Sequence, residues 1–369
     1  MDSLTQIALG SAVAVATMGR RTAVWKAAMW GAVAGTLPDL DAFIDHGDDM
    51  LNMVLHRAES HALFYLTLFA PLLAWLVSRI HGETTGFKRR AAPSLDRTLS
   101  GGSDPRSGGA PDSRAKREDA WGRWTLALWL VLITHPLLDA MTVYGTQLLL
   151  PFTNHPYGVG SVFIIDLAYT LPLIVGTVAA LRMKDLARGL RWNAAGLVLS
   201  TAYLAWGVGA QWQVERIARA SLQQAGIEAE GLLVTPTPFN TVLWRLVATT
   251  PTECHEGFYS FMDATPTVRW TAHPRGAELM AAHGQAEPVA RLAAFTHGFY
   301  RLATTADGQL RITDLRMGQE PDYTFNFDLG PLNAVGSVPA RHMSQRPDVG
   351  AALSQLWTRL KGQPAPSPR

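Results

Sequence analysis

The chain has 369 residues, 48% of them hydrophobic and only 17% charged, with a formal net charge of +2. That balance gives no electrostatic footprint for nucleic acid. The single cysteine, Cys254, excludes an internal disulfide framework. The apolar residues crowd into the first 212 positions, the pattern of a membrane half followed by a more polar one.

The chain opens MDSLTQ, with an acid where a signal peptide carries its basic region, so no removable signal is expected. Leu4 to Met18 is apolar and rich in small residues, a short span candidate. After the basic break Gly19-Arg20-Arg21, Val24 to Leu37 forms a second, with Gly31 and Gly35 at a spacing that permits close helix contact. Pro38 marks its end. Ala62 to Ile80, Trp124 to Val143, Ser161 to Leu181 and Trp192 to Trp212 are further span candidates. Residues 82–120 are polar, basic and rich in Gly, Pro and Ser, and read as a linker. Basic segments lie at Arg20 to Lys26, in that linker and at Arg182 to Arg191. With six crossings, the positive-inside rule sets all three in the cytoplasm and both termini outside.

Beyond Trp212, residues 213–230 read as a helix. Strand-like pieces follow at Gly231 to Val234, Thr241 to Ala248, Gly257 to Met262, Thr267 to Trp270, Gln309 to Asp314 and Tyr323 to Phe327. Pro288 to Ala303 reads as a helix. The expected fold is thus a polytopic α-helical membrane domain over 1–212 and an exported α+β domain over 213–360. A disordered tail is expected at 361–369.

The stretch GTLPDLDAFIDHGDDMLNMVLHRAESH, residues 35–61, carries an unusual density of metal-binding residue types. Asp39, Asp41, His56 and His61 are its candidate ligands. A second cluster, THPLLDA, places His135 and Asp139 four apart on one helix face. The six-crossing topology brings both clusters to the same outer membrane face. Imidazoles and carboxylates without a nearby thiol suit zinc first, then manganese or iron, as one or two ions. Arg57 is a candidate for binding a phosphate oxygen, and Glu59 or Asp41 for handling a proton. Asp45, His46, Asp48 and Asp49 read as a solvated acidic loop. His155 and Asp166 are weaker ligand candidates. His255, His273, His283 and His297 are scattered and weaker still.

MDSLTQIALG, GAVAGTLPDLD, HRAESHALF and THPLLDAMTVYGTQ together resemble the YdjM-type family of inner-membrane metal-dependent hydrolases over about residues 1–180. PTPFNTVLWR and EGFYS resemble the extension of its longer bacterial members. That resemblance implies a PD-x-D element at Asp39 and Asp41, an HR-x-x-[ST]-H element at His56 and His61 with Ser60 at the hydroxyl position, and an H-x-x-x-D element at His135 and Asp139. Some relatives carry His where this chain has Gln6, which is a poor ligand. A distant likeness to zinc-dependent phospholipase C and P1-type nucleases implies phosphoester hydrolysis.

The expectation is a multi-pass inner-membrane hydrolase acting on a phospholipid or other lipid-linked phosphoester at the outer face. Membrane lipid is its expected partner. The alternative is a non-enzymatic, metal-stabilised envelope protein that binds another envelope protein. No nicotinamide glycine fingerprint or phosphate loop points to nucleotide chemistry.

Overall fold

The computed structural model describes residues 1–81, 113–343 and 349–363. Its N-terminal region is helical. Helices α1 (Ser3–Met18) and α2 (Val24–Thr36) lead to a short 3-10 turn, Pro38–Phe43. Then come α3 (Asp49–Leu55), a second 3-10 turn, Glu59–His61, and α4 (Leu63–His81). Helices α5 (Ser113–Asp139), α6 (Leu167–Arg182) and α7 (Leu186–Gln224) complete it.

Helices α1 and α2 pack backbone to backbone because glycines line their crossing. A Cβ on Gly31 would sit inside the Gly10 carbonyl group, and one on Gly35 would lie 2.7 Å from the Gln6 carbonyl oxygen. Helix α1 then presents Ala14, Val15 and Met18 to a core shared with Leu66, Leu73, Leu128 and Leu132 of α4 and α5.

The polytopic membrane domain is not supported. Among the described residues only α4 is long and apolar enough to cross a membrane. Ala, Gly, Ser and Thr fill much of the other expected spans. Helices α1 and α6 have 16 residues each and α2 has 13, about 24 and 20 Å at ~1.5 Å per residue, against a hydrocarbon core of about 30 Å. Their small residues make helix contacts instead. The expected span Trp192–Trp212 and the helix after it are one helix, α7, which buries Gly189, Asn193, Gly196, Ser200 and Gly207 along one side. The six-crossing orientation falls with the spans it counted. Helix α4 differs in length and continuous apolar character, and Leu68, Leu72, Trp75 and Ile80 on its outer face are each more than half exposed.

The C-terminal region is built on sheets. Strands β1 (Gly231–Pro236), β2 (Leu243–Thr249), β3 (Glu253–Ser260) and β4 (Thr271–Pro274) form an antiparallel meander. After α8 (Ala277–His283) and α9 (Glu287–Phe295) come β5 (Tyr300–Thr304) and β6 (Gln309–Asp314), then a hairpin of β7 (Gly318–Gln319) and β8 (Asp322–Tyr323). Strands β9 (Asn326–Pro331) and β10 (Arg341–His342) finish a second sheet in the order β10-β9-β6-β5, and α10 (Val349–Leu360) follows. The expected strand Gln309–Asp314 is β6, whereas Thr267–Trp270 precedes β4, and the expected helix Pro288–Ala303 stops at Phe295 and continues as β5. Residues 113–120, expected as linker, begin α5. The rest of that linker and the last six residues of the expected tail lie outside the described residues.

The two regions share a core. Met50, Met53, Val54 and Tyr144 pack with Leu292, Phe295, Ile312 and Phe327. Asp48 and Asp49, expected in a solvated loop, instead bind the second sheet: Asp48 accepts from the Ala340 amide at 2.7 Å and Asp49 from the His342 amide at 2.8 Å.

Candidate metal centre

Three short segments converge on one point. The turn Pro38–Phe43 starts with proline, whose fixed φ suits a first helical position. At about 120° per residue in a 3-10 turn, Asp39 and Asp41 point in different directions. Asp39 turns towards His61 and His135, and Asp41 towards His56 and Ser60. His61 ends the second turn, and His135 and Asp139 occupy the last turn of α5. Between them Arg57 adopts φ +67°, a left-handed conformation uncommon for a residue with a side chain. That kink points its backbone N–H at Asp41 (3.0 Å) and its guanidinium at Asp139.

Asp39, His61, His135 and Asp139 each offer a ligand atom within 4.8 Å of the others. The two imidazole Nε2 atoms lie 3.1 Å apart. His61 Nε2 is 3.5 Å from Asp39 and 3.3 Å from Asp139, and His135 Nε2 is 3.4 and 3.6 Å from the same carboxylates. A tetrahedral ion with ligands at roughly 2.0–2.2 Å needs donor atoms about 3.3–3.6 Å apart. The four histidine–carboxylate pairs have those dimensions, and the histidine pair is slightly closer.

The outer hydrogen bonds decide what the inner atoms offer. His135 Nδ1 donates to the Gly35 carbonyl at 2.7 Å, which leaves Nε2 a lone pair. Ser60 gives its proton to Asp41, so its oxygen accepts from His61 Nδ1 at 2.8 Å, and His61 Nε2 is likewise free. Such outer partners fix the tautomer and orientation of metal-binding histidines. The result is two lone pairs and two carboxylates facing one another in a buried site. Asp139 Oδ2 is buried with no hydrogen-bond partner. This donor set fits a divalent cation, and the residues present can hold one.

Without a metal the site compensates with a proton. Burial alone would lower the His61 pKa, but the carboxylates of Asp139, Asp39 and Asp41 outweigh it and push it up to about 9. Burial likewise opposes ionisation of Asp39, yet the His135 and His61 imidazoles beside it hold its carboxyl well below the usual range. For Asp41 the same opposition is overcome by His56, His61 and Ser60. For Asp139, Arg57 and the Met1 amine overcome it. Gln6 donates to Asp139 at 3.0 Å and is an outer partner in this arrangement.

A sequence profile of the YdjM inner membrane protein family matches residues 1–214. The chain belongs to the YdjM family. The YdjM match contains all four converging donors and stops ahead of β1, so both sheets lie outside it. The chain matches no curated protein and no solved structure.

The remaining candidates fall into place around this YdjM core. Asp41 and His56 pair with each other at 2.8 Å, one layer out from the four donors. Glu59 is exposed. Asp166 caps α6 and accepts from Tyr203 at 2.8 Å, while His155 packs against Tyr157 and His297. A cleft of about 460 Å³ adjoins the centre, lined by Asp41, His56, Arg57 and Tyr144 among others. Sequence reasoning missed Tyr144 and the Gly35 carbonyl. Tyr144 lies within THPLLDAMTVYGTQ, where an aromatic beside the ligand motif was the available signal.

Proposed function

We propose that this chain is a metal-dependent hydrolase of the inner membrane that cleaves phosphoesters in the lipid headgroup layer. Asp39, His61, His135 and Asp139 hold one divalent ion, zinc in the first instance. The observation that carries the reading is the facing pair of histidine lone pairs ringed by two carboxylates. When bound, the ion supplies Lewis acidity and a nucleophile at neutral pH.

The chain's own residues supply the rest. Arg57 lines the cleft with its guanidinium 4.8 Å from the Tyr144 ring and Nη1 donating to Thr142. There it binds a phosphoryl oxygen as negative charge grows. His56 has Nδ1 tied to Asp41, which leaves Nε2 as the ring nitrogen free to serve the cleft. It moves a proton at the reacting oxygen, a task for which exposed Glu59 is less well placed. The location supports a lipid substrate. His61 lies two residues before α4, the one candidate span among the described residues. Acids precede that helix and Lys88, Arg89 and Arg90 follow it, so the charge asymmetry favours the outer face for the site.

The rival reading, an ion that only clamps the three segments of an envelope protein, makes the opposite prediction for turnover. Purified protein is incubated with lipid extract and products are followed by mass spectrometry. The hydrolase reading expects phosphoester products that chelation abolishes and zinc restores, and that Asp139→Asn does not form. A full metal complement with no turnover on any lipid phosphoester favours the clamp.

A further inference from the structure

The cleft beside the metal centre is not made by the helical region alone. Met317 and Phe325, both beyond the YdjM match, form part of its wall. Their positions are fixed. Arg316 is paired with Asp314 at 2.7 Å and donates to the Tyr144 carbonyl at 2.8 Å, which ties the start of the β7–β8 hairpin to the helical region. Phe325 meets the Tyr144 ring edge-on at 5.8 Å and stacks on Phe327. The loop opposite is anchored through Asp49 to His342 of β10 and through Asp48 to Ala340 just before it.

The cleft has two kinds of lining. Asp41, His56 and Arg57 are grouped by hydrogen bonds beside the metal centre. Ile44, Ile164, Met317 and Phe325 form apolar wall, and Phe43 at 85% exposure is a large apolar side chain left open to its surroundings. The volume lies within the roughly 300–1,000 Å³ of small-molecule sites. Arg57 is the one cation in the lining, set against the carboxylates of Asp41 and Asp45. That lining disfavours a polyanion such as a nucleotide triphosphate or nucleic acid and leaves Arg57 as its single positive contact for one phosphate group.

We infer that this cleft is the substrate channel and that it takes a phosphodiester carrying an extended apolar chain. The phosphoryl group lies at Arg57 and His56, and the chain runs between Ile44 and Ile164 on one side and Met317 and Phe325 on the other. The sheet region thereby sets the specificity of a site whose metal ligands all lie in the helical region. This inference rests on the hydrolase reading for its chemistry but concerns binding, and it is tested by binding.

The probe is an alkyl phosphodiester with a photoreactive diazirine halfway along its chain. It is applied to the full-length protein in nanodiscs, and labelled peptides are mapped by mass spectrometry. Labelling is expected at Met317, Phe325, Ile44 or Ile164. It should be competed by unlabelled alkyl phosphodiester and reduced at least about tenfold in Met317→Glu with metal content unchanged. A probe with the same chain on a trimethylammonium head should not label these residues. Should Met317→Glu fail to fold, Phe325→Ser carries the same expectation, since both side chains are half-buried. Labelling confined to the exposed face of α4, or equal for both head groups, overturns the channel. Cleft labelling without turnover keeps the channel and overturns the hydrolase reading. Turnover without cleft labelling does the reverse. Comparing glycerophospholipid with polyprenyl-linked competitors identifies which source of the apolar chain the cleft prefers.

Discussion

His61 and His135 face each other with their Nε2 atoms 3.1 Å apart, and with both rings neutral the hydrogen bonds behind them leave each nitrogen a lone pair. Two neutral imidazoles do not approach in this way without a cation or a shared proton between them. The outer residues are therefore as much a part of the centre as the ligands.

Ser60 is the most economical test of that dependence. Ser60→Ala removes the acceptor for His61 Nδ1 while leaving all four donors in place. Loss of an outer-shell partner costs about 10–100-fold in metal affinity. Competition with a fluorescent zinc chelator should show a fall of that size, and the same for Asp41→Asn, whose carboxylate receives the Ser60 proton. Unchanged affinity in both would separate these residues from the centre.

The proton-handling roles of His56 and Glu59 are separable by paired substitutions. His56→Gln should lower turnover by roughly 10²–10⁴-fold, the span for a positioned acid or base, with metal content intact. Glu59→Gln should stay within a few fold, because Glu59 is exposed. The opposite ranking would return the role to Glu59.

The raised His61 pKa fixes a pH dependence. In metal-free protein His61 titrates near 9, against 6.5 for an unperturbed histidine. Its protonated form therefore stabilises the fold fully below 6.5, and that stability drains away as pH rises through 9. Zinc competes with the same proton, so its affinity should climb by about tenfold per pH unit across the window. Thermal melts of chelator-treated protein should fall in this range while zinc-loaded protein gains stability relative to it. A metal-free melt that rises through the window would contradict the assignment.

Gly31 links the helix crossing to the site. Gly31→Ala drives a methyl into the Gly10 carbonyl group and the Ala14 side chain. Such overpacking costs about 1–3 kcal/mol, and it displaces the helix whose Gly35 carbonyl holds His135. Lower melting temperature and weaker zinc binding should appear together. Weaker binding with no loss of stability would mean the helix contact is not the route.

The four converging donors were among the six expected ligands because their chemistry is local. Asp39 lies in a proline-started turn, and His135 and Asp139 stand four apart on one helix. The separation of Asp41 and His56 from the inner four was not legible, because it depends on the Arg57 kink and on the direction of Ser60's proton. The membrane half was misread for a related reason. Gly10, Gly31, Gly35, Gly189 and Gly196 count as apolar in composition, but the structure uses them for close helix approach, the first three in helices too short to span. The cleft wall could not be read at all, since Phe325 meets Tyr144, and Met317 joins them in the lining, only through tertiary structure that closes nearly half the chain.

X-ray absorption at the zinc edge, with elemental analysis on the same detergent-purified sample, tests the centre most directly. The account predicts one zinc per chain, a first shell of nitrogen and oxygen only, scattering from two imidazoles, and loss of the metal in the double substitution His61→Ala, His135→Ala. An unchanged metal content in that double variant, or a shell containing sulfur, would contradict it.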